Sequence, residues 1–286
     1  MTDSRSPPLL SGLSAIAGGY DAVLCDVWGV LHNGREAFPP AADAMRRFRK
    51  ERGPVVLLSN APRLADGVEA QFDRVGLPRD FYDAIVTSGF AAHDDLLRRT
   101  QSAGTLALYY LGPPRDNPVF EGLNIRFASA QDAQVVFCTG LYDDDTETPD
   151  DYRSLLETFK ARRLSFLCAN PDIIVQRGDK LIYCAGAIAR LYESMGGDVV
   201  YYGKPYPAVF EKALAELRAR GSAKRPLVIG DGIETDILGA NRLGLDALFI
   251  AGGIHAAQLR EHPDALVALF RKSGVAAVGA MPALVW

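Results

Sequence analysis

The sequence predicts an α/β fold: a Rossmann-like, mostly parallel sheet core flanked by helices, with a smaller α/β cap domain inserted into it. Three observations carry this expectation. Short apolar runs alternate with amphipathic stretches through most of the 286 residues, which is the rhythm of repeated strand–helix units. Those runs are continuously apolar rather than alternating, as in strands buried on both faces. The rhythm breaks over roughly residues 90–185, where Pro/Gly-rich and acidic segments replace it.

Taken in order, DAVLCDVWG (21–29) opens as a strand. PPAADAMRRFRKERG (39–53) reads as a helix, with Pro near its start and Gly past its end. PVVLLSN (54–60) is a second strand, RLADGVEAQFDRVG (63–76) a second helix and DAIVTSG (83–89) a third strand. The irregular middle holds LGPPRDNP (111–118), the acidic loop DDDTETPDD (143–151), a helix at 152–163 and a strand at 164–172. The regular rhythm then returns: strands at 198–205, 225–232 and 246–253, helices at 208–221 and 235–244, and a last helix over roughly 255–272. The expected organisation is a core in two parts, 1–88 and 186–286, around an inserted domain at 89–185.

Composition narrows the function. Lys plus Arg total 31 against 35 Asp plus Glu, a net charge of −4, so no basic excess advertises nucleic acid or an anionic membrane. No apolar run approaches the ~20 residues of a membrane span. Arg5 is followed by no long apolar segment, which argues against a signal peptide; residues 1–8 read as a loose polar tail. Cys25, Cys138, Cys168 and Cys184 fit no metal or CxxC spacing, and read as free thiols in the cytoplasm. The expected partner is a small molecule, with a homodimer left open.

Four core strands end in polar residues: Asp26, Ser59–Asn60, Lys204, and Asp231 with Asp236 five residues on. In an open α/β sheet, sites form at the carboxyl ends of strands. Each residue alone reads as a turn former or a solvated charge; together they form a coherent set. Two carboxylates at ~4 Å repel by about 4 kcal/mol at an effective dielectric of 20, and a divalent cation removes that penalty. Hard oxygen ligands point to magnesium. Ser59, Asn60 and Lys204 add donors and a positive charge for an anion. The set reads as a phosphate site, in which a carboxylate nucleophile splits hydrolysis into two easier steps.

These residues resemble the haloacid dehalogenase (HAD) superfamily, specifically its class IIA branch of NagD-like phosphatases, over about residues 20–286. That family's motifs are Asp-x-Asp-Gly, a strand ending in Ser or Thr, a Lys, and Gly-Asp-x-x-x-Thr-Asp. Here they stand as DVWGVLHNG (26–34), LLSNAPR (57–63), GKPYP (203–207) and GDGIETD (230–236). TSG (87–89) resembles the entry to the family's cap, and NPD (170–172) its cap motif. The resemblance implies Mg2+-dependent hydrolysis of a small phosphomonoester (a sugar phosphate, nucleotide or similar) through an aspartyl-phosphate on Asp26. It implies metal ligation by Asp26, the Trp28 backbone carbonyl and Asp231, supported by Asp236. Ser59 and Lys204 would hold the phosphoryl group with Asn60 beside them, and Asn170 and Asp172 would face the substrate from the cap.

One position departs from the pattern. The family's second Asp, which protonates the leaving group, is Trp28 here, and indole has one N–H donor and no useful acid–base capacity. Three readings follow: a phosphatase using another acid such as His32, or a substrate needing little help; a metal-free dehalogenase-like hydrolase; and a protein that binds a phosphorylated ligand without turnover. The two intact acids Asp231 and Asp236 argue against the second. A phosphonatase would need a cap lysine, for which Lys180 is a candidate by position only.

Two other motifs fail on spacing. The acidic loop lacks the Gly and Glu of a calcium-binding EF-hand, with Thr148 and Ser154 at those places. GDVVYYGK (197–204) is one residue too long for a phosphate-binding P-loop, and Pro205 follows. The pairs Tyr109–Tyr110 and Tyr201–Tyr202 read as packing within strands.

Overall fold

A computed structural model describes residues 7–178, 180–221, 223–261 and 265–286. Its strands in chain order are β1 (Ala22–Cys25), β2 (Val55–Ser59), β3 (Ala84–Thr87), β4 (Leu106–Leu111), β5 (Ile125–Phe127), β6 (Val135–Cys138), β7 (Ser165–Cys168), β8 (Ile174–Arg177), β9 (Lys180–Tyr183), β10 (Val199–Tyr201), β11 (Pro226–Gly230), β12 (Asp246–Ile250) and β13 (Gly279–Met281).

The first sheet has the order β13-β12-β11-β1-β2-β3, with every neighbouring pair parallel. The chain runs outward from β1 in one direction and from β11 in the other, so strand order reverses between these two adjacent strands. This reversal opens a crevice at their carboxyl ends. Alternate residues of each strand enter two separate cores. Val23, Cys25, Val55, Leu57, Leu227 and Ile229 pack with Met45, Phe48 and Phe72 on one face. Leu24, Val56, Leu58, Val228 and Phe249 pack with Phe210, Ala213 and Leu217 on the other. Burial on both faces is the physical reason for the continuous apolar runs in the sequence.

The second sheet is β10-β7-β6-β4-β5, also parallel throughout, and β8 and β9 form a separate antiparallel hairpin. The chain leaves the first sheet after β3 and returns only before β11. This corrects the boundary expected at residue 185: β10 pairs with β7 in the second sheet, Val199 lying opposite Phe166, and does not join the first.

Other elements shift in smaller ways. Serine and glycine of TSG begin the helix Ser88–Ala103 rather than ending β3, because the Thr87 hydroxyl accepts the Phe90 N–H at 2.9 Å and caps the helix. The helix expected at 235–244 is a π turn over Ile233–Ile237 running into Leu238–Arg242. The last helix is observed as Ala256–Glu261 and Ala265–Ser273, and residues 262–264 of that expectation lie outside the described residues. Of the tail expected at 1–8, residues 1–6 lie outside them too, while the Pro8 carbonyl accepts the Ala280 N–H at 2.8 Å, tying the segment to β13.

Candidate active site

β1 ends at Cys25, and the next N–H, that of Asp26, donates to the Ile229 carbonyl of β11 at 2.8 Å. This places Asp26 over the crevice. Its Oδ1 accepts the Val27 N–H at 2.7 Å and the Lys204 Nζ at 2.6 Å. Lys204 also donates to Asp236 Oδ1 at 2.8 Å. Asp236 Oδ2 in turn accepts the Gly232 N–H at 3.1 Å and the Thr235 hydroxyl at 3.2 Å, so the π turn aims this carboxylate at the lysine. Asp231, directly after β11, accepts the Ile254 N–H at 2.7 Å. A β-carbon at Gly29 would lie 2.0 Å from Asp231 Oδ2, and one at Gly253 would lie 1.9 Å from it; only glycines leave that carboxylate its place.

Asp26, Asp231 and Asp236 each offer an oxygen within 4.8 Å of the others, and all three are buried. The electrostatics follow from this crowding. Burial, then the charge of Asp236, pushes the Asp26 carboxyl well up, with Lys204 pulling the other way. Burial and Asp236 likewise push Asp231 up, against the Ile254 N–H. For Lys204, burial acts downward, but the Asp236 and Asp26 charges override it and hold the ammonium charged.

A second arm of the site bridges the two sheets. Asn60, after β2, accepts the Lys204 N–H through Oδ1 at 2.7 Å. Its Nδ2 donates to Asp172 Oδ1 at 2.8 Å and to the Lys204 carbonyl at 3.2 Å. Asn170 Oδ1 accepts the Asp172 N–H at 3.1 Å and so braces that turn. Burial pushes the Asp172 carboxyl up, against Lys204 and the Asn60 amide. Ser59 is buried at the end of β2, where its Oγ accepts the Ala61 N–H at 3.2 Å.

The structure thus joins Asp26, Asp231, Asp236, Lys204, Asn60 and Asp172 in one connected cluster, with Asn170 behind Asp172. The Trp28 side chain instead turns to the hairpin, where its Nε1–H donates to the Gln176 carbonyl at 2.7 Å. Two residues are candidates by position only. His32 is no free acid: it is 1% exposed, its Nδ1 accepts the Gly34 N–H at 3.0 Å, and its ring lies edge-on to Trp28 and Phe72. Burial lowers it to about 4. Lys180 is exposed on β9, far from the desolvated setting that a Schiff-base lysine needs. The acidic loop is satisfied by its own groups and by two arginines: Asp143 accepts the Asp145 N–H and the Thr146 hydroxyl, Thr148 and Asp151 bond each other at the next helical turn, and Asp144 accepts from Arg115 and Arg177. Sequence reasoning missed Gln176, whose contribution is a backbone carbonyl, and Ile254, whose contribution is a backbone N–H; neither has a side-chain signature. Gly253, in the AGG that ends the β12 run, was the visible hint of a close approach.

Comparison with known proteins agrees with this geometry. The family model described as haloacid dehalogenase-like hydrolase matches residues 23–126, and one described as HAD-hydrolase-like matches residues 201–272. A solved haloacid dehalogenase-like hydrolase from Brucella suis 1330 is 41% identical, covering 97% of this chain and all of its own, with a TM-score of 0.85. The chain belongs to the haloacid dehalogenase-like hydrolases. Among curated HAD-type relatives, the D-glycerol 3-phosphate phosphatase of Mycobacterium tuberculosis is 30% identical over 86% of this chain and 67% of its own length. The ribonucleotide monophosphatase NagD of Escherichia coli K12 is 27% identical over 81% of this chain and 88% of its own. A glycerol phosphate phosphatase from M. tuberculosis solved in complex with calcium is 27% identical over 84% of this chain and 68% of its own, with a TM-score of 0.60.

Proposed function

We propose that this site hydrolyses small phosphomonoesters with a bound divalent cation, Mg2+ for preference, and that Asp26 is the nucleophile. The observation that carries the reading is the convergence of three buried carboxylates and one buried ammonium at the carboxyl ends of β1 and β11. The activities of the two curated phosphatases and the calcium in the M. tuberculosis structure support it.

The residues present fit a hard divalent ion. They offer oxygen donors only, they are crowded enough that two carboxyls are pushed up in its absence, and glycines clear their flank. Asp26, Asp231 and the Trp28 carbonyl would hold the ion, with Asp236 supporting. When bound, it supplies Lewis-acid charge to the phosphoryl oxygens. The chain's own residues do the rest. Lys204 and Asn60 bind the phosphoryl group with Ser59, and Lys204 pulls Asp26 toward its ionised form. An Asp26 oxygen forms a bond to phosphorus while the bond to the leaving oxygen breaks. Water then attacks the aspartyl-phosphate at phosphorus, releasing inorganic phosphate and regenerating the carboxylate. Asn170 and Asp172 present the inserted unit to the substrate, and that unit acts as a cap over the core. The four buried free thiols agree with a cytoplasmic setting.

The test is phosphate release from a panel of sugar phosphates, nucleotides and aryl phosphates, with Mg2+ and with chelator. Turnover that requires Mg2+ and disappears in Asp26→Asn supports the reading. Ligand-induced stabilisation without release from any compound marks a binding protein instead.

A further inference from the structure

The residue two places after the nucleophile is committed elsewhere. The Trp28 Nε1–H, its single side-chain donor, is held by the Gln176 carbonyl of β8 at 2.7 Å across 148 residues of chain. The same contact continues beside it: the Gly178 N–H donates to the Asn33 carbonyl at 3.3 Å, and a β-carbon at Gly178 would lie 2.7 Å from the Arg35 side chain. The loop 28–35 and the hairpin 174–183 are therefore fastened together, with Trp28 as the central side chain. Its ring is set by an edge-on stack on His32 at 5.1 Å, itself edge-on to Phe72 at 6.0 Å.

Among the described residues, and apart from the proposed metal-site acids Asp231 and Asp236, three candidate proton donors can be taken in turn. Lys204 Nζ is engaged by Asp26 and Asp236. The His32 ring is walled in by Trp28 and Phe72, and its Nδ1 accepts from Gly34. Asp172, the carboxyl brought in by the inserted unit, turns its Oδ1 to Asn60 and through it toward the Lys204 backbone, the side proposed to bind phosphate. None of these stands where Trp28 stands.

We infer that Trp28 sets the substrate class: it clasps the hairpin to the core and leaves the departing oxygen to go as an anion, which restricts turnover to phosphoryl compounds with acidic leaving groups, namely acyl, enol and aryl phosphates. This rests on the phosphohydrolase reading above. As the Asp26–phosphorus bond forms, the P–O bond breaks and its electron pair stays on the leaving oxygen, which departs unprotonated as a carboxylate, enolate or phenolate. An alkoxide is far more basic and departs that way far more slowly. In the second step, water supplies the oxygen to phosphorus, its proton goes to solvent, and the Asp26 carboxylate is restored.

The experiment measures kcat/KM with Mg2+ for acetyl phosphate, a graded series of substituted phenyl phosphates, and glycerol 3-phosphate. The expected result is a steep fall with rising leaving-group pKa and a loss of about 10² or more between p-nitrophenyl phosphate and glycerol 3-phosphate, the usual worth of a general acid. Trp28→Asp should narrow that gap. Trp28→Phe, which keeps a ring and loses the N–H, should leave the slope steep and speed amide exchange across Ile174–Arg177 about tenfold. Equal kcat/KM for aryl and alkyl phosphates in the wild type would overturn the inference, because another acid, with Asp172 first in line, would then be at work. Exchange at Ile174–Arg177 unchanged in Trp28→Phe would overturn the clasp. Release from no member of the series would instead sink the phosphohydrolase reading itself.

Discussion

Lys204→Met removes the one ammonium that, among the described residues, pairs with the carboxylates of the site. Carboxylate oxygens no more than 4.8 Å apart repel by at least roughly 3 kcal/mol per pair at an effective dielectric of 20. Lys204 sits 2.6 Å from Asp26 and 2.8 Å from Asp236, so its attraction is of the same order as the whole repulsion. Without it Asp26 and Asp231, already pushed up by burial and by Asp236, take up protons more readily. That uptake caps the penalty near the 3–5 kcal/mol typical of breaking a buried pair. In a chain of this length, such a loss lowers the melting temperature on the order of 10 °C. The assay is thermal unfolding in chelator and again in millimolar Mg2+. The variant should melt well below wild type in chelator, and Mg2+ should raise it by more degrees than it raises wild type, because the ion then meets uncompensated carboxylates. A variant melting within about 2 °C of wild type in chelator, or gaining less from Mg2+, would refute the electrostatic account of the site.

Other expectations follow from the same geometry. Asp26→Asn should reduce phosphate release to background while leaving the melting temperature in chelator equal or higher, since it removes a carboxyl that burial disfavours; calorimetry beside a phosphate assay checks both. His32 stays neutral in the fold, lowered to about 4, while the unfolded chain protonates it near 6.5. The unfolded state therefore binds more protons between those values, so stability falls as pH drops through that window, by about 2 kcal/mol between pH 7 and 5. His32→Asn, whose Oδ1 can still accept the Gly34 N–H, should flatten that part of a urea-midpoint profile against pH; an unchanged profile would contradict the burial argument. Phe72→Ala, which opens a cavity among His32, Phe81 and Tyr82, should cost about 3–5 kcal/mol in denaturant unfolding.

Much of the site was legible in the sequence because its residues sit where continuous apolar runs stop. Asp26, Asn60 and Asp231 each follow such a run in the first sheet, which delivers its strand ends to one edge; Lys204 also follows a run, but that of β10 in the second sheet. What decides between sheets was not legible. VVYY at 199–202 has the same apolar pattern as a first-sheet strand, and only its pairing with β7, a long-range event, places it in the second. His32, a candidate acid by position, falls away for a related reason. Six residues from Asp26 is close in sequence, but the Trp28 and Phe72 rings bury the imidazole away from the crevice. The hairpin β8–β9 has a sequence signal in Gly178 between the runs IIVQ and LIY, and the structure holds that glycine at a positive φ of 61°. The contact that hairpin makes with Trp28 had none, because the acceptor is a main-chain carbonyl.

The claim that Asp26 accepts the phosphoryl group can be read directly. Wild-type protein is mixed with an aryl phosphate and Mg2+, quenched in acid within the first turnover, and mapped by peptide mass spectrometry. The predicted result is one phosphoryl group on the peptide containing Asp26, lost on standing at neutral pH and not formed with chelator. Phosphate release with no trapped phosphoryl group on that peptide, and undiminished in Asp26→Asn, would contradict the account.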